Sequence, residues 1–311
     1  MNYAAFSVFA ALLITEIMGA VALLAEWGAT KRKVLDYVVP IWEVTGTFGA
    51  FWVVTGDFAF PTLLVPVAAI FSPLLAAFLI LFVARNASIS FAEFLIKRRW
   101  IDDVKLYKAY SIATVVLGLV VLVLLSALVG GQGVDLATGS FSMASWATAG
   151  SLAFVLGALL ICLGFAPVFF DLPQLRRLVL PLVGAGIAAS VLSFWLMSPA
   201  LLSWWMAVPA LLTLAGGLLY VVPKSNRLVA NKAVFISMLS LIIFSLQPLI
   251  YPAAVGRAIP IDAVTTGGIM AGAFLAVTSI GTVLLALMLG LYLRIAVRGT
   301  GGPEENAGTR D

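Results

Sequence analysis

Two of the fourteen acidic residues lie inside apolar runs long enough to cross a bilayer. Glu16 sits in Ile14-Thr15-Glu16-Ile17-Met18-Gly19, and Glu43 in Pro40-Ile41-Trp42-Glu43-Val44. An ionisable group at such depth is costly, and it faces a bundle interior or a polar path. Helical spacing places Gly46, Thr47 and Ala50 on the face of Glu43, and Gly19 and Ala20 beside Glu16. Small residues let neighbouring helices approach closely. Both carboxyls are therefore expected in packed protein, away from lipid. Two roles stay open for them: holding helices together, or passing protons along a path from the cytoplasm. Glu43 is expected about 10 Å in from the cytoplasmic side, with Glu16 about 5 Å deeper on the neighbouring helix, at 1.5 Å per residue.

Other chemistry is excluded by residue type. The chain has no histidine and a single cysteine, Cys162, inside Leu160-Ile161-Cys162-Leu163. An internal disulfide, a cysteine-rich metal site and an iron–sulfur cluster held by this chain alone are ruled out. Haem lacks its usual axial ligand, so no cofactor or metal is expected on this chain. Phosphate-binding glycine loops and nucleophile elbows are absent. Gln247-Pro248 reads as a kink in an apolar helix, and Gly268 with Gly272 as a helix-packing pair.

The elements that must carry these carboxyls follow from composition. Of 311 residues, 63% are hydrophobic and 10% charged, against about 25% charged in soluble domains, and mean hydropathy is +1.14. Lipid is the solvent. A span needs about 20 apolar residues, which predicts an all-α, polytopic protein of about nine transmembrane helices. They fall near 4–26, 36–56, 59–84, 107–130, 146–170, 178–197, 201–222, 233–256 and 268–295, with a turn at Gly56-Asp57. Residues 1–298 form one transmembrane domain, and 299–311 a polar cytoplasmic tail. Ser88–Tyr107 reads as a loop with an amphipathic helix lying on the inner leaflet.

Charge placement gives the orientation. One side holds Lys31, Arg32 and Lys33; Arg85, Lys97, Arg98, Arg99, Lys105 and Lys108; Arg176 and Arg177; Lys224, Arg227 and Lys232; and Arg294, Arg298 and Arg310. Only Arg257 falls opposite. Basic loops stay in the cytoplasm, so the amino terminus lies outside and the carboxyl terminus inside. The formal charge of +4 belongs to these loops and gives no reason to invoke nucleic acid. Trp195, Trp204 and Trp205 flank one turn, where indoles favour the lipid interface.

Pro40-Ile41-Trp42-Glu43, Phe48 five residues beyond the acid, and Phe60-Pro61 resemble subunit II of the cytochrome bd-type quinol oxidases. Thr15-Glu16 and Phe82-Val83-Ala84-Arg85 are similar to its first and third helices. The likeness spans about residues 12–95, and more loosely 240–298. Val44-Thr45-Gly46 replaces the family's Gly-Asn-Gln, and Ile41 its histidine, so this is a divergent sequence. The resemblance implies a prokaryotic plasma-membrane subunit of a respiratory chain. It implies an obligate heterodimer with a haem-bearing subunit I that holds haems b and d and oxidises quinol. Glu43, with Glu16 close by, would then join a proton-uptake path, and Trp42 and Thr47 would be structural neighbours of it. Two other classes fit the carboxyls: a proton-coupled secondary transporter, and a quinone-handling anchor of another respiratory complex. A topology reporter at the carboxyl terminus should read cytoplasmic, and one within 131–145 external; an internal reading for the latter would overturn the nine-helix map.

Overall fold

Inside hydrocarbon a backbone amide finds no water, so each segment must satisfy its own hydrogen bonds as helix. The computed structural model describes residues 2–25, 27–94, 102–135, 137–197, 199, 202–222, 226–250, 253–254, 257–258 and 269–298. It is helical almost throughout. In order run α1 (Asn2–Ala25), α2 (Trp27–Ala59), α3 (Pro61–Ile70), α4 (Ser72–Phe94) and α5 (Asp103–Gly130). A short hairpin, β1 (Val134–Asp135) with β2 (Ser140–Phe141), and the one-turn α6 (Met143–Trp146) lead to α7 (Ala149–Phe169). Then follow α8 (Arg176–Met197), α9 (Ala207–Val221), α10 (Asn226–Val229), α11 (Lys232–Ile250), the strands β3 (Ala253–Ala254) and β4 (Arg257–Ala258), and α12 (Ile269–Arg298).

Among the described residues, eight helices are long and apolar enough to cross a membrane. The apolar part of α11, Lys232–Gln247, is shorter than those eight. The chain is thus a multi-pass membrane protein, and the expected all-helical architecture stands. Its third crossing, however, is displaced. Pro61 opens α3, Pro66 lies within it, and the helix stops at Phe71 before Ser72-Pro73 begins again. The crossing is α4, about ten residues later than 59–84. Ser88–Phe94 belong to this helix, and α5 starts at Asp103, its first turn capped by the Asp102 carboxylate on the Val104 amide. The expected surface-lying helix over 88–107 is therefore replaced at both ends; residues 95–101 lie outside the described set. So do the tail 299–311 and Gly268.

The core gathers around α1. More than half of its apolar stretch is buried, 56%, against 11% for α4 and for α12, so α1 is the hub and these two are rim. It packs against α2, α5, α7 and α11. Tyr37 of α2 meets Phe169 and Phe170 edge-on at the end of α7, and Phe165 meets Phe235 of α11 in the same way. On the other end, the Trp146 indole donates to Ser126 Oγ at 2.8 Å, tying the hairpin back onto α5. Trp195 and Trp204 are exposed, as expected of interfacial indoles, whereas the Trp205 indole donates to the Ser245 carbonyl.

The closest helix pair is α7 with α8, and glycine makes it so. A Cβ at Gly186 would lie 2.9 Å from the Gly157 carbonyl oxygen and 2.9 Å from the Ile161 nitrogen, both backbone atoms that cannot rotate away. Gly186→Val should accordingly destabilise the fold by at least about 1–3 kcal/mol, the usual range for overpacking. Gly184→Ala, which meets nothing within 4 Å, should leave thermal unfolding in detergent within about 0.5 kcal/mol of wild type.

Candidate functional site

Glu16 is fully buried in α1, and its Oε2 accepts a hydrogen bond and ion pair from the Arg85 guanidinium of α4, itself 1% exposed. This corrects the assignment of Arg85 to a cytoplasmic loop. Because the crossing begins at Ser72, Arg85 falls inside the helix, about 14 Å from its end at Phe94 at 1.5 Å per residue. Glu16 stands about 14 Å from the end of α1, so the two charges meet at one depth. The guanidinium lies 5.6 Å from the ring centroid of Tyr110 on α5 and 5.7 Å from that of Phe82. Both are within reach of cation–π attraction.

Hydroxyls continue the cluster. Thr15 Oγ1 donates to the Leu12 carbonyl at 2.7 Å, so the 2.7 Å contact between Thr15 and Tyr37 is made with the Tyr37 hydroxyl as donor. Lys232 of α11 places its ammonium 5.3 Å from the Tyr37 ring. Thr15, Tyr37, Tyr110, Ser111 and Thr114 are all buried. Several polar atoms here have no hydrogen-bond partner among the described residues: Glu16 Oε1, Arg85 Nε, Asn86 Oδ1, Tyr110 OH and Ser111 Oγ. Leaving one such atom unsatisfied costs about 1–3 kcal/mol. Arg85, Tyr110, Tyr37 and Thr15 were not singled out from sequence as site residues. The signal for Arg85 was present, in a proline-delimited start at Ser72 that puts it mid-helix.

Glu43 departs from expectation. It is exposed on α2, as are Thr47 and Ala50, while Gly46 is half-covered, with the Phe82 ring 3.6 Å from where its Cβ would be. The Thr47 hydroxyl donates to the Glu43 backbone carbonyl at 2.9 Å, a bond within its own helix. Trp42, by contrast, is partly buried against the core. The expected packing of both carboxyls in the protein interior thus holds for Glu16 alone. Their order in depth is also reversed. From the shared α1–α2 turn Glu16 stands about 14 Å in and Glu43 about 24 Å, at 1.5 Å per residue. The long α2, whose basic Lys31, Arg32 and Lys33 are already helical, carries Glu43 well past its neighbour. The two carboxyls are not brought together.

Inside the helices lies a cavity of about 260 Å³ lined by Phe9, Ile17, Leu122, Cys162, Phe194 and Ile243 among others, nearly all apolar. Among the described residues no three His, Cys, Asp or Glu side chains group to hold a metal.

No protein-family model and no curated protein matches the sequence. A solved structure does: the bd oxidase from Geobacillus thermodenitrificans, at TM-score 0.72 and 17% identity, covering 94% of this chain and 96% of that one. The chain therefore has a bd-oxidase-like fold over nearly its whole length.

Removing one member of a buried ion pair strands the other, at about 3–5 kcal/mol. Glu16→Gln and Arg85→Met should each lower thermal stability and folded yield by that order. The double substitution Glu16→Met with Arg85→Met should recover much of the loss, since no unpaired charge remains. A double variant as unstable as the sum of the singles would show that the pair does not act as a unit.

Proposed function

We propose that the chain is the haem-free second subunit of a cytochrome bd-type quinol oxidase, working in a prokaryotic plasma membrane beside a haem-bearing subunit I. The observation that carries this reading is Glu43: a carboxyl about 24 Å from the cytoplasmic turn of its hairpin, exposed on the flank of a membrane helix, in a chain with a bd-oxidase-like fold. A charge facing hydrocarbon is too costly to leave uncovered. A partner subunit seated on α2 would cover it, and the Trp42-Glu43 pair is the segment most similar to the oxidase family. Subunit I would supply the haems b and d and the quinol-oxidising site.

The reduction of oxygen to water consumes protons from the cytoplasmic side. In this reading Glu43 stands at the contact between the two subunits and passes protons toward the oxygen-reducing haem, with Trp42 and Thr47 fixing its stretch of α2. Glu16, held by Arg85 on the inner side, shapes the field of the same region from within the chain.

Mild-detergent purification of the chain from its native membrane should bring down a haem-rich partner with a strong Soret absorbance, while the chain expressed alone should show none. Recovery as a stable lone chain would overturn the assignment. In the assembled complex, Glu43→Gln keeps volume and hydrogen bonding but removes the exchangeable proton. Quinol-driven oxygen uptake should fall by about 10²-fold or more, within the usual range for loss of an acid–base group, with haem content unchanged. Wild-type turnover by that assembled variant across pH would exclude the relay.

A further inference from the structure

Arg85 and Glu16 neutralise one another, so their island carries no net charge for an ion to answer. Its unmet valences are nonetheless several and mixed in kind. Glu16 Oε1 is an acceptor, Arg85 Nε–H is a donor, and the Tyr110 hydroxyl is either. All three belong to side chains at most 1% exposed. The guanidinium's 5.6 Å separation from the Tyr110 ring places the three within one side chain's length of each other. One residue further along α4 and α5, at nearly the same depth, Asn86 Oδ1 and Ser111 Oγ add an acceptor and a hydroxyl in the same state. A cation would leave the donors unanswered, and an anion the acceptors. A small neutral molecule that both donates and accepts answers all of them. A buried water of this kind makes two to four hydrogen bonds to such groups.

We propose that Glu16, Arg85 and Tyr110 form a water-binding site inside the membrane domain. The site stands on the geometry of this chain, whatever complex the chain enters. Its ligand is ordered water, bound to the carboxylate oxygen that Arg85 leaves free. The neighbouring hydroxyls of Tyr37 and Thr15, already bonded in series at 2.7 Å, end beside this site and lie between it and Lys232. The apolar cavity, by contrast, offers almost no polar atom to water.

Brief X-ray radiolysis of the wild-type protein in native membranes tests this, because a bound water yields a hydroxyl radical that oxidises the side chain it touches. Tyr110 should gain oxygen several-fold faster than Phe71 and Phe165, which are equally buried but carry no polar atom to hold a water, after correction for the reactivity of the free amino acids. In the double variant Glu16→Met with Arg85→Met, oxidation of Tyr110 should drop to the level of those phenylalanines. Oxidation of Tyr110 no faster than that of Phe71 and Phe165 in the wild type would overturn the proposal, and this arm needs no variant to fold. Undiminished oxidation in a folded double variant would overturn it as well, by removing the pair as the water's ligand.

Discussion

The ion pair between Arg85 and Glu16 is the constraint on which the helix arrangement turns. In a bilayer neither charge can be left to solvent, and neither side chain can reach water without abandoning the core. Their contact sets the depth of α4 against α1, and the stacking of Arg85 on Tyr110 ties α5 to the same level. Three helices thus share one register mark about 11–14 Å from the ends at Ala25, Phe94 and Asp103, at 1.5 Å per residue. Greasy surfaces slide along one another at little cost. A buried charge does not, and it converts a loose apolar bundle into one with a defined register.

The same physics gives a different result at Glu43. On α1 the carboxyl meets its counter-charge within the chain. On α2 Glu43 is exposed, and the Thr47 hydroxyl beside it bonds its backbone carbonyl, not its carboxylate. A self-neutralised island and an unmatched charge therefore coexist in adjacent helices. The first makes the core complete in itself. In the proposed oxidase the second is where the partner subunit would sit.

Much of this fold was legible in the sequence because apolar length and loop charge are one-dimensional signals. The crossings α1, α2, α5, α7, α8 and α9 lie where hydropathy places them, within a few residues at most ends. The third crossing was misplaced because Leu63 to Ala84 reads as one mainly apolar run, and hydropathy does not register that Pro61, Pro66 and Pro73 cut a short α3 away from α4. That shift moved Arg85 from a loop into the membrane, and with it the partner of Glu16. Periodicity placed Gly46, Thr47 and Ala50 correctly on the face of Glu43, but a face lined by small residues says only that something approaches closely. It does not say whether that neighbour belongs to the same chain.

Depth separates the two carboxyls into different duties. With α2 helical from Trp27, Glu43 stands about 10 Å farther from the α1–α2 turn than Glu16, at 1.5 Å per residue, and it is exposed where Glu16 is buried. A carboxyl fixed to a guanidinium lends charge and register to its surroundings. A carboxyl on an open flank can meet donors and acceptors that a second chain brings. The polar interior of the first and the bare surface of the second are thus complementary: the internal pair keeps α1, α4 and α5 rigid enough that α2, packed on α1, holds Glu43 at a definite height on the surface.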